Sequence, residues 1–221
     1  MFLGHYGLAL AAKRIAPETS LGTTILAAQF SDLLWPILLL LDLEQVRIAP
    51  GLMAASSLDF VDYPISHSLG TAGGLGLVLG LGYFAVRRSV RGATLVGGLV
   101  VSHWFLDLPM HRPDLPLWPG SEIVMGAGLW NSIAATLAIE FAILALGLVL
   151  YVRVTSANYH IGRWALWAFI GVIVVFFLSG TFGPPPPSEQ ALAVGGLALW
   201  LFVPWGYWID RHRTVRWAES R

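Results

Sequence analysis

The chain has 221 residues, of which 56% are hydrophobic and 12% charged, with 13 basic residues balancing 13 acidic ones. A soluble domain carries roughly 25% charged residues, so a disordered chain, a nucleic-acid-binding module and an ordinary soluble enzyme are all excluded. Cysteine is absent, which removes disulfides, thiolate metal sites and cysteine nucleophiles.

The first apolar run, Phe2 to Ala12, reaches only half-way across a bilayer at about 1.5 Å per residue. Lys13 and Arg14 follow that run rather than precede it, and no small-residue cleavage site comes after. It is therefore expected to be a retained half-helix, not a signal peptide. Six runs of bilayer length succeed it, at residues 20–41, 65–86, 92–108, 130–152, 163–180 and 190–209. In lipid the backbone must satisfy its own hydrogen bonds, so each is predicted to be a helix. The expected fold is all-α: a polytopic membrane bundle of six transmembrane helices plus the half-helix, forming one domain over residues 1–221. Glycines crowd the second run (Gly70, Gly73, Gly74, Gly76, Gly80, Gly82) and predict close helix packing. Trp118 and Trp130 near one boundary, and Trp164, Trp205, Trp208 and Trp217 near the other, read as interfacial belts.

Eleven of the 13 basic residues fall on alternate connections: Lys13, Arg14, Arg87, Arg88, Arg91, Arg153, Arg163, Arg211, Arg213, Arg216 and Arg221. Only Arg47 and Arg112 lie on the other side. The positive-inside rule puts the Arg-rich side, and with it the C-terminus, in the cytoplasm. The long connections 42–64 and 109–129, with most of the loop acids, then face outward.

Ionisable residues inside a bilayer cost several kcal/mol unless paired, and they mark functional sites. His5 lies in the half-helix, Asp32 in the first long run, and His67 at the start of the second. His103 and Asp107 share one face of the third at i, i+4 spacing. Pro109 follows, so this helix is predicted to end beside them, with His111 within reach. The topology brings all of these to the outer half of the membrane. Taken alone, a buried His or Asp more often makes a helix-to-helix hydrogen bond than binds a metal, and His67 suits a helix cap equally well. Three imidazoles and two carboxylates at one depth suit a divalent ion, most simply zinc. Glu140, near the middle of the fourth run, reads equally as structural or functional.

The order Gly4-His5, Asp32 in QFSDL, His67-Ser68, Ser102-His103…Asp107 and the loop Pro116 to Gly120 resembles the bacterial inner-membrane metal-dependent hydrolase family. The resemblance covers about residues 1–125, the expected metal-site core, and 126–221 match only as additional apolar helices. The order of ligands is also distantly similar to zinc-dependent phospholipase C. The chain departs from the family pattern at Gln29-Phe30-Ser31-Asp32, which keeps one of two aspartates. It departs again at Asp62 to Ser68, which lacks the family's first His and its Arg.

These readings lead to an expected membrane-embedded metal-dependent hydrolase of the bacterial inner membrane. Its metal ligands would be His5, Asp32, His67, His103 and Asp107, holding one or two divalent ions, most simply Zn²⁺. Asp62, His111 or Glu140 would serve as general base or acid. Arg112 would hold a phosphate of a lipid-like or phosphorylated substrate. The alternatives are a proton or metal-ion transporter running through Glu140, and a non-catalytic scaffold with a degenerate site.

Overall fold

A computed structural model describes residues 1–216; Trp217 and Arg221 lie outside the described residues. The chain is mostly helical. Its half-helix is α1 (Leu3–Ala11), continued by one 3-10 turn through Arg14. The first long run is not one helix but two, α2 (Leu21–Ala28) and α3 (Phe30–Leu40), bent by 55° at Gln29. Then come α4 (Leu69–Arg87), α5 (Val90–Asp107), α6 (Ile133–Val154) and α7 (His160–Phe182). The last run is interrupted as well: α8 (Glu189–Gly196) and α9 (Phe202–Arg211) flank a 3-10 stretch, Leu197–Leu201. Serines start many of these helices. The side chains of Ser20, Ser68, Ser89, Ser132 and Ser188 each accept the backbone N–H three residues on, satisfying an amide that has no partner within the helix.

Among the described residues, four stretches are long and apolar enough to cross a membrane: α4, α6, α7 and the α8–α9 run, Glu189–Arg211. The bent α2–α3 pair makes a fifth if it counts as one span. Four to five of the six expected spans are thus supported by length and composition. The third, α5, has the length, but Arg91, Ser102, His103 and Asp107 lower its apolarity. Large apolar side chains point outward all the same, among them Leu77, Val78 and Leu81 of α4 and Val175 and Phe176 of α7. Such extended apolar surface belongs in lipid rather than water.

Short antiparallel strand pairs, which the apolar pattern did not predict, occupy the connections. β1 (Gln45–Ile48) pairs with β2 (Leu58–Asp62), β3 (Leu115–Pro116) with β4 (Val124–Met125), and β5 (Thr155–Ala157) with β6 (Arg213–Val215).

Although short, α1 is central. Leu3, Tyr6, Ala9 and Leu10 are all buried in the core, against residues such as Ile25, Val100, Leu144 and Phe169. It runs parallel to α6, with Gly4 beside Glu140 and Gly7 in backbone contact with Gly147. Its lower end is tied by Lys13 to Asp210 at 2.5 Å. The half-helix therefore starts inside the bundle and ends at the Arg-rich end, as its position before Lys13 implied. Next to it, α4 and α5 pack antiparallel through small residues. A Cβ at Gly76 would stand 2.7 Å from the Gly97 carbonyl oxygen, so both positions need glycine for the backbones to meet.

Candidate metal centre

Four imidazoles converge on two carboxylates at the end of the bundle opposite most of the arginines. The fold delivers them from separate elements. His5 comes from α1, and Asp32 from the first turn of α3. His67 immediately precedes Ser68, the N-cap of α4. His103 and Asp107 close α5, and His111 sits in the following turn, where its amide donates to the Asp107 carbonyl at 3.0 Å. The helix ends at Asp107 as predicted, although Leu108 keeps helical dihedrals (φ −49, ψ −45).

The ring nitrogens are assigned by their partners. His103 Nδ1 lies 2.8 Å from the main-chain oxygen of Ala28. A carbonyl can only accept, so Nδ1 carries a proton, and in the neutral ring Nε2 is a bare lone pair. The Ser66 hydroxyl is 2.6 Å from Glu44 Oε2 and 2.6 Å from His67 Nδ1. Its single proton goes to the carboxylate, so it accepts from His67 Nδ1, which in the neutral ring leaves Nε2 bare. Glu44 is held in turn by the amides of Ile65 and Ser66, both at 2.7 Å. His111 Nδ1 donates to Asp114 Oδ1 at 3.0 Å, and the Tyr63 hydroxyl donates to the same oxygen at 2.7 Å. Burial lowers the pKa of His111 below its ordinary value and raises that of Tyr63 well above its own. The imidazole therefore stays neutral at pH 7 and the phenol stays protonated.

The Nε2 atoms of His103, His67 and His111 all face carboxylate oxygens, as does that of His5. His103 Nε2 is 3.2 Å from Asp107 Oδ2 and 3.7 Å from Asp32 Oδ1. His67 Nε2 is 3.5 Å from Asp32 Oδ1 and 3.9 Å from Asp107 Oδ2. His111 Nε2 is also 3.9 Å from Asp107 Oδ2. His5 Nε2 is 3.1 Å from Asp107 Oδ1, and its ring stacks on His103 with centroids 3.8 Å apart. The Met1 α-amino group pairs with Asp107 Oδ1. Two ligand sets, His5–His103–Asp107 and Asp32–His67–His103, each bring their ligand atoms within 4.8 Å of one another. Either can hold a metal ion. Both depend on the one free nitrogen of His103, so the two sets as they stand cannot be filled together. The five other side chains of the cluster are at most 3% exposed, whereas that of Asp32 is 20% exposed and marks the opening.

All five sequence-predicted ligands meet here, and His111 joins them. The other two catalytic candidates do not. Asp62 is exposed on β2. Glu140 is buried, but its two oxygens accept the amides of Phe2 and Gly4, both at 2.8 Å. That makes it the side-chain cap of the first amides of α1, which positions His5. Arg112, expected to hold phosphate, is instead paired with Asp59 and, at 3.1 Å, with Asp114. The supporting residues Glu44, Ser66, Tyr63 and Asp114 were not anticipated. The only signal for them was adjacency: Ser66 beside His67, and Asp114 three residues after His111.

Apolar helices fit to span a membrane, gathered around a buried His/Asp cluster able to hold a metal ion, define the class of this protein. Comparison of the chain with protein-family models, curated proteins and solved structures finds no match.

Proposed function

We propose that the chain is a membrane-embedded metal-dependent hydrolase acting on a phosphoester at the membrane. One observation carries this reading: Nε2 of His103, His67 and His111 all face the Asp32 and Asp107 carboxylates in a nearly closed site, which in the neutral rings sets acceptor against acceptor. Such an arrangement is costly unless a cation lies between the groups. Charging all the imidazoles instead would place several like charges within a few ångströms. Nitrogen and carboxylate donors of this kind suit zinc. Each of the three rings is also oriented through its other nitrogen, as metal-ligating histidines are.

His103 with His5 and Asp107, or with His67 and Asp32, would hold a divalent ion, and the chemistry it would supply is activation of water near neutral pH and neutralisation of charge on a reacting oxygen. The chain's own groups divide the remaining tasks. Ala28, the Glu44–Ser66 pair and the Asp114–Tyr63 pair hold the rings. Asp32 stands at the opening, where substrate and water arrive. The resemblance of residues 1–125 to the inner-membrane metal-dependent hydrolases agrees with this reading, and the positive-inside rule turns the Arg-rich end to the cytoplasm. The transport alternative relied on Glu140, whose oxygens are both committed to backbone amides.

The test is elemental analysis of the detergent-purified protein, together with hydrolysis of bis(p-nitrophenyl) phosphate and of phospholipid in mixed micelles. One bound zinc per chain and an activity lost in His103→Ala are expected. Absence of a stoichiometric ion, or full activity in that variant, overturns the proposal.

A further inference from the structure

A groove of about 590 Å³ runs between α2 and α4 at the Arg-rich end of the bundle, with Val96 of α5 and Tyr207 of α9 also on its walls. That volume lies within the range of about 300–1,000 Å³ usual for ligand pockets. Its deeper part is apolar, lined by Leu26 of α2 and by Val78 and Leu79 of α4. Val78 and Val86 are exposed along it, so the groove opens towards lipid. A Cβ at Gly82, midway along the α4 wall, would meet nothing within 4 Å, so the space beside it is open. From Arg87 to Val78 that wall descends about 14 Å, close to half of a hydrocarbon core of roughly 30 Å. The mouth is polar and carries both signs. Glu18 stands on one side, in the turn before α2, and Arg87 on the other, in the last turn of α4. Both line the one groove, yet among the described residues neither has an ion-pair partner. Glu18 accepts the Ser89 hydroxyl at 3.2 Å. Hydroxyls complete the mouth. Tyr83 and Thr19 share one bond at 3.0 Å, and Ser20, Thr23 and Tyr207 are joined by two, at 2.9 and 2.8 Å. Each hydroxyl brings one proton, so each group has one proton over for an outside acceptor.

We infer that this groove binds one molecule of phosphatidylethanolamine, a function separate from the metal centre at the opposite end. Arg87 takes the phosphate, whose geometry suits a guanidinium. Glu18 takes the ammonium, whose N–H groups a carboxylate accepts. The spare hydroxyl protons fall to the ester carbonyls, and one acyl chain lies against Leu26, Val78 and Leu79. Opposite charges that line one groove without pairing are matched by a headgroup that carries both signs on one molecule. A purely anionic headgroup would face Glu18 with a like charge, and a choline has no N–H to donate. The positive-inside rule assigns this mouth to the cytoplasmic leaflet. The lipid also bears on α2. Leu26 and Ala27 line the groove, and the next carbonyl, that of Ala28, holds His103 Nδ1. A bound lipid therefore steadies the segment that orients His103.

The experiment titrates the full chain in detergent with dioleoyl phosphatidylethanolamine, phosphatidylglycerol or phosphatidylcholine, read by native mass spectrometry. One phosphatidylethanolamine per chain should bind about tenfold more tightly than either other lipid, as charge-assisted hydrogen bonds imply. Glu18→Gln and Arg87→Gln should each abolish that preference. Gly82→Leu should weaken binding by filling the groove while leaving the fold intact, since leucine is the better helix former. Arg153→Gln, at the same end of the bundle but outside the groove, should bind phosphatidylethanolamine as wild type does. The lipid should also raise the unfolding temperature of wild type but not that of Gly82→Leu. Equal affinity for the three lipids overturns the inference and marks the groove as ordinary lipid-facing surface. A preference for phosphatidylglycerol overturns it in favour of an anionic-lipid site. It is overturned as well if the preference survives in both charge variants, if Arg153→Gln loses it as fully, or if Gly82→Leu is stabilised as much as wild type.

Discussion

The imidazole of His103 donates through Nδ1 to the main-chain oxygen of Ala28 at 2.8 Å. Ala28 is the last residue of α2, just before the chain bends by 55° into α3. A broken helix inside a bundle frees backbone groups that must find partners elsewhere. One bond therefore closes the break and selects the ring nitrogen that faces Asp107 and Asp32.

Replacing His103 with alanine removes the nitrogen common to both ligand sets and leaves the Ala28 carbonyl unpaired. The expected result is loss of bound metal together with about 1–3 kcal/mol of stability. Elemental analysis and thermal unfolding of the purified variant check the two effects separately. Full metal content in His103→Ala would sink the assignment of His103 as the shared ligand.

Ser66 touches no carboxylate of the cluster directly, yet it relays Glu44 to His67. Ser66→Ala should leave the ring free to rotate and His67 without a fixed tautomer. Outer-shell losses of this kind typically weaken metal affinity about 10–100-fold. Competition against a colorimetric chelator measures it. An affinity equal to wild type would mean that His67 is not a ligand in the occupied site.

How much of this was legible beforehand depends on contrast. His5, Asp32, His103 and Asp107 stand out because their neighbours are apolar, and the i, i+4 spacing of the last two puts them on one helical face. Glu44 had no such contrast. It sits in a connection among other acids, and only the fold turns it inward beneath Ser66. The break at Gln29 was hidden for a different reason. Neither proline nor glycine lies at the bend, and the partner of the Ala28 carbonyl comes from α5, some 75 residues away. Pro36, the local punctuation in that run, lies inside α3 without ending it. Glu140 was visible as a buried acid, but its role depends on α1 starting at its level, which spacing along α6 does not reveal.

Glu140→Ala should act on stability first. Two buried amides, of Phe2 and Gly4, lose their acceptor, at a cost of about 1–3 kcal/mol each. The N-terminal turn that carries His5 loosens, so metal affinity should fall as well. The discriminating measurement is the Glu140→Gln variant, which keeps one accepting oxygen. If Glu140 is a cap, this variant retains much of the stability and most of the hydrolytic rate per bound metal. If Glu140 is instead an acid or base of the reaction, the rate collapses while metal content and unfolding temperature stay near wild type.

At the far end of α1, Lys13 pairs with Asp210 at 2.5 Å, and the same carboxylate accepts the Leu21 amide at 2.7 Å and the Tyr151 hydroxyl at 2.8 Å. Lys13 and Asp210 are largely buried, so removing the ammonium alone strands a charge. Lys13→Met should cost about 3 kcal/mol, as expected when one partner of a buried pair is lost. Adding Asp210→Asn removes the stranded charge while keeping an acceptor, so the double variant should be more stable than Lys13→Met alone. Metal content should be unchanged in both variants. Lys13 lies eight residues from His5, about 12 Å along a helix, and it makes no contact with the cluster. Thermal unfolding of the two variants side by side tests the electrostatic part. A Lys13→Met protein that loses its metal at wild-type stability would show instead that the two ends of α1 are coupled.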